Sequence, residues 1–142
     1  KGLYEQPHTA FAASFIGETN LVTARVEAMK EKEVLLNIAG FTLPCYCEDW
    51  LTPGENILLS LRAERIHLSA LPVNTPCRVT GELIESHYAG GERVSLIRLM
   101  DGQVLRVRAT TESEAEPELG STVYAWWNQL SGVIVRDDRV SS

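Results

Sequence analysis

Two stretches of this chain repeat one pattern, and that repeat constrains the fold more than anything else in it. "TPGENILLSLRAERIHLS" (52–69) and "LGSTVYAWWNQLSGVIV" (119–135) each pass from a turn-forming Gly into an apolar strand and then a shorter one. A shift of 66 residues sets Gly54 on Gly120, Ile57 on Val123, Leu59 on Ala125 and Leu61 on Trp127. A one-residue slip then brings Ile66 and Leu68 onto Val133 and Val135. Self-similarity at a fixed spacing means one structural unit present twice.

The residues before each copy read as β as well. In "NLVTARVEAM" (20–29), Leu21, Thr23 and Arg25 alternate with Val22, Ala24 and Val26, the period of a half-buried strand. Glu31-Lys32-Glu33 reads as a solvated hairpin tip. "VLLNIAGFTLPCYC" (34–47) gives two strands broken at Ala39-Gly40. Pro72, Asn74 and Pro76 mark a boundary. Beyond it come a strand, a Gly90-Gly91 break and a hairpin turning at Asp101-Gly102, expected as a type I′ turn. "ESEAEPE" (112–118) is an acidic loop. At the front, Pro7 opens a short helix with Phe11, Ala12, Phe15 and Ile16 on one face, and Gly17 ends it.

The expected fold is all-β: two OB-like, five-stranded Greek-key barrels in tandem, with a short N-terminal helix. The divisions are a linker helix over 1–19, a first barrel over 20–71 and a second over 72–142. A single β-sandwich also fits the alternation; the repeat favours paired barrels.

Composition narrows the function. The 142 residues carry a net charge of −6, which argues against a free-standing nucleic-acid binder. No stretch approaches the roughly 20 apolar residues that span a bilayer. With no initiator Met and no signal peptide, Lys1-Gly2 reads as a cut inside a longer protein. Cys45, Cys47 and Cys77 are an odd set, expected to be free, structural thiols in a reducing cytoplasm. His8, His67 and His87 are too scattered to complete a metal site with them.

Catalytic signatures are missing. There is no Gly-Lys pair for a phosphate-cradling loop and no Ser in a strained Gly-x-Ser-x-Gly turn. Alternation sets Glu82 and Glu85 on opposite strand faces, and Asp137-Asp138 lies in a tail. The chain by itself is expected to be neither an enzyme nor the holder of a cofactor. Two features suit binding. Arg106 and Arg108 share a strand face, beside Arg93 and Arg98 on the same hairpin, and could fork onto an anion; the preferred reading is that they face the acidic loop, Glu112 to Glu118. In "VYAWW", Trp127 belongs to the core with Val123, which leaves Tyr124 and Trp126 outward as candidate interface aromatics. Outward rings also stack on bases.

Three motifs resemble a known family. "GLYEQPHTAFAASFIGETN" is similar to the junction that follows the nucleotide-binding domain in ATP-binding subunits of ABC importers, at Tyr4, Glu5, Pro7, Thr9, Phe11, Ala12, Phe15, Ile16, Gly17 and Asn20. A strand ending in Arg-Pro-Glu stands here as Arg62, Ala63 and Glu64, followed by Ile66 and Leu68. The departure is Ala63, where Pro is usual. A third set falls on Gly81, Tyr88, Gly90, Leu99, Asp101, Gly102, Leu105 and Val107.

The resemblance implies a transport-associated OB (TOBE) domain pair, regulatory and non-catalytic. It further implies an ATPase domain in front, which would hold ATP and Mg, and through it membrane permease subunits. A weak homodimer, a possible small-molecule effector, no nucleic acid, and a cytoplasmic position at the inner face of the plasma membrane complete the expectation. "FIGETN" looks most like polyamine and iron(III) systems. The alternative is a free-standing OB-type module for single-stranded nucleic acid or a small oxyanion.

Overall fold

A computed structural model describes residues 19–110 and 117–135. The linker helix expected over 1–19 lies outside them, except that Thr19 already opens the first strand. Most of the acidic loop lies outside them too. The described residues form ten strands: β1 (Thr19–Lys30), β2 (Glu33–Ile38), β3 (Phe41–Tyr46), β4 (Asn56–Arg62), β5 (His67–Ser69), β6 (Arg78–Ala89), β7 (Glu92–Leu99), β8 (Val104–Thr110), β9 (Thr122–Trp126) and β10 (Val133–Val135). They make two curled five-stranded sheets, ordered β10-β4-β1-β2-β3 and β5-β9-β6-β7-β8. The all-β, tandem OB-like expectation holds.

Those orders contain an exchange. β5 follows β4 in the chain yet pairs with β9 of the other sheet, while β10 follows β9 and pairs with β4. Between Arg62 and His67 the chain makes one 3-10 turn, Ala63–Arg65, instead of doubling back. The short final strand therefore leaves its own sheet. Two strand pairings cross the division between 20–71 and 72–142.

The internal repeat is visible bond by bond. β1 pairs with β4 through its first half and with β2 through its second, and it bulges between Val26 and Ala28. β6 does the same with β9 and β7, bulging between Leu83 and Glu85. Just before each bulge, Val26 exchanges backbone bonds with Gly54 and Glu55 (2.7 and 2.9 Å), and Leu83 with Gly120 and Ser121 (2.7 and 3.1 Å). Opposite Leu59 stands Ile134, and opposite Ala125 stands Leu68. The spacing of 66 thus runs unbroken into the last strands, His67 matching Val133, and the expected slip is absent. Large and small residues trade places across the repeat: Leu59 and Gly132 in one unit occupy the positions of Ala125 and Ile66 in the other.

Inward residues of both sheets form one continuous core, with Val22, Leu36, Leu43, Ile57 and Leu59 from the first and Val79, Leu83, Ile97, Leu105 and Val123 from the second. Ala39 (φ 53°) and Gly40 (φ 92°) make the expected two-residue turn. The Asp101-Gly102 turn exists but is not type I′. Four residues separate Leu99 from Val104, and of the central pair only Gly102 has positive φ.

Candidate functional site

Trp127 is buried, as its inward position requires. Tyr124 and Trp126 lie on the outer face of the second sheet, and both are half-buried. Register sets Trp126 between His67 and Arg78, and Tyr124 between Ser69 and Thr80. The His67 ring stacks on Trp126, with centroids 4.2 Å apart and planes 29° from parallel. The Arg78 guanidinium turns to the Thr75 carbonyl at 2.5 Å. This face carries the Tyr124, Trp126 and His67 rings beside Arg78, and the exchanged strand β5 supplies one of the three rings.

The arginines of the β7–β8 hairpin do not act as a set. Arg93 points inward and is buried, and Arg98 pairs with Glu82 at 3.3 Å. Arg108 sits between Glu64 (3.4 Å) and Glu92 (3.3 Å), so its charge is already matched. The Arg62 hydrogen bond, reinforced by the charges of Arg62 and Arg108, holds the Glu64 carboxyl below its ordinary range. Arg106 is exposed, beside Arg108 on the outer face. The bulge at Ile84 also corrects one expectation: Glu82 opposes Arg98 and Glu85 opposes Leu96, so the two carboxylates share the outer face.

All three thiols are buried. Burial first, then the neighbouring Cys47 and Cys77, pushes Cys45 up to about 12. Burial and then Glu33 push Cys77 up to about 11. Among the described residues no three His, Cys, Asp or Glu gather in a way that could hold a metal ion. No described helix is long and apolar enough to cross a membrane.

Two features escaped sequence reasoning. One is an open groove of about 650 Å³ lined by Arg25, Val26, Glu27, Asn37, Pro53 and Gly54. The β1 bulge aims Glu27 there, and its carboxylate accepts from Asn37 (2.8 Å) and Thr42 (3.0 Å). The other is Asn20. Its side chain accepts from the Arg106 amide (2.8 Å) and donates to the Arg106 carbonyl (2.9 Å), joining the first sheet to the second. The available signal was a lone amide side chain at an inward position of an apolar strand.

Residues 59–135, just over half of the chain, match the family model described as the TOBE domain. The chain is 34% identical over 115 residues to the spermidine/putrescine import ATP-binding protein PotA of Roseobacter denitrificans, an alignment covering 80% of this chain and 31% of that protein. It is 31% identical over 150 residues to the protein of the same description from Treponema pallidum, covering 95% of this chain and 40% of that one. The chain thus spans about a third of the length of these curated relatives. Among solved structures it resembles the cytoplasmic molybdate-binding protein ModG with molybdate bound, at a TM-score of 0.73 and 17% identity, over 82% of this chain and 95% of that one. That likeness concerns the fold alone.

Proposed function

The chain belongs to the TOBE domain family, and from that premise we propose that it is the non-catalytic regulatory domain of the ATP-binding subunit of a polyamine-type ABC importer. The observation that carries this reading is the likeness of most of the chain to spermidine/putrescine import ATP-binding proteins, of which it spans only a part. In the proposal, a separate domain of the same subunit holds ATP and Mg and contacts the membrane permeases. The subunit then works on the cytoplasmic side, peripheral to the membrane. The tandem-barrel fold, which the chain shares with a family of regulatory modules rather than with an ATPase core, supports the regulatory part of this reading.

Pairing of two subunits is part of the proposal. A two-fold contact presents the same patch twice, so one half-exposed aromatic row counts double. Tyr124 and Trp126, on the outer face of β9, are the residues proposed for it. With the rest of the subunit absent, the isolated chain should form a weak dimer.

Sedimentation over a concentration series tests this. The native chain should shift toward dimer at high concentration, and Trp126→Ala should weaken that shift. A strictly monomeric native chain would overturn the pairing. A salt-dependent shift of a labelled oligonucleotide at low salt would overturn the regulatory reading in favour of a nucleic-acid module.

A further inference from the structure

The repeat allows the two junctions between the sheets to be compared residue against residue. The first half of β1 pairs with β4 on one edge, pairing with β2 on the other begins at Arg25, and β8 lies along the stretch before it. The first half of β6 is in the same position relative to β3. Asn20 and Cys77 occupy equivalent places, and so do the residues they face, Arg106 and Pro44.

The chemistry at the two places differs. Arg106 offers both N–H and C=O, and the Asn20 amide pairs with both. Pro44 has no N–H, so only its carbonyl remains, and Cys77 donates its thiol to it at 3.2 Å. A thiol is a weak donor. The β1–β8 junction also has a second amide pair: the Gln103 side chain accepts from Thr23 N–H (2.7 Å) and donates to Thr23 C=O (3.2 Å). Asp101 anchors that side chain at 2.8 Å. On the other side the β2–β3 turn is two residues long and extends no such arm. Finally, the Arg108–Glu64 ion pair has Tyr46 and Leu130 in the matching places, 37% and 70% exposed, and the crossing segment there is tied to the first sheet by a neutral donor instead, Gln129 to the Glu33 carboxylate at 3.1 Å.

We infer that the junctions are unequal by construction, and that the domain opens between β3 and β6 while β1 and β8 stay joined. The barrels would then pivot about the Asn20 and Gln103 amide pairs. Such an element has two arrangements, and any partner that prefers one of them shifts the population.

The unmodified chain carries its own reporters. Cys77 reports on the β3–β6 junction, Cys45 on the interior of the first barrel, and the amides of Thr23 and Arg106 on the β1–β8 junction. Thiol labelling without denaturant should modify Cys77 faster than global unfolding allows, at a rate flat in low urea, while Cys45 is labelled only through global unfolding. Hydrogen exchange at Thr23 and Arg106 should follow global unfolding only. Cys77 labelled no faster than global unfolding allows would overturn the inference. So would Thr23 or Arg106 exchanging through a local opening. Neither readout depends on dimerisation or transport.

Discussion

Single atoms decide several positions. A Cβ on Gly81 would lie 2.4 Å from the Ile97 Cγ2 and 2.8 Å from the Arg98 carbonyl oxygen. Backbone cannot yield as a side-chain tip can, so Gly81→Ala should cost about 1–3 kcal/mol, measured by urea unfolding. Gly132→Ala should cost less, because its first obstacle, at 2.8 Å, is the end of the Leu59 side chain. Ala39 holds a left-handed φ of 53°, which disfavours any side chain. Ala39→Gly should therefore stabilise the chain by up to about 1 kcal/mol, and a loss of stability would contradict the strain. The Cys45 and Cys77 thiols set an alkaline limit. Their folded values lie above the ordinary 9.0, so their contribution is complete below pH 9 and is lost as pH rises through about 11 and 12. The unfolding midpoint should fall over that window, and Cys45→Ala should flatten the fall.

At the scale of elements, alternation was legible and partnership was not. The inward sets Val22, Ala24, Val26 and Leu105, Val107 follow from a period of two, whatever strand lies alongside. Nothing in that period tells β5 to leave β4 for β9, since Leu68 presents the same face either way. The bulges were hidden for the same reason. One extra residue at Ile84 moves Glu85 to the other face without altering composition. Of the candidate site, the outward placement of Trp126 was legible, but its His67 neighbour was not, because β5 brings it from the other half of the chain. Asn20 was visible as a motif residue with no role. Its role depends on Arg106, 86 residues away. The element-scale prediction concerns this bridge. Asn20→Ala leaves the part-buried Arg106 N–H and C=O without their amide partner, and should cost about 1–3 kcal/mol for the groups left unpaired. Cys77→Ala, which removes one weak thiol bond and little volume, should cost less.

For the whole molecule, the reciprocal exchange means that neither sheet is complete without a strand from the other half, and a single apolar core runs through both. The two barrels should unfold together, in one calorimetric transition whose van't Hoff and calorimetric enthalpies agree. Two separated transitions would mean independent halves. A domain whose halves fold only together can report the state of a whole subunit, which is the role proposed for it. The most direct measurement is uptake of radiolabelled spermidine by cells whose importer depends on the full subunit bearing this domain, comparing native with Gly81→Ala. The account predicts that the substitution lowers spermidine uptake while nucleotide binding by the subunit stays at its native level. Native uptake by the Gly81→Ala subunit, or a loss of uptake that tracks lost nucleotide binding, would contradict it.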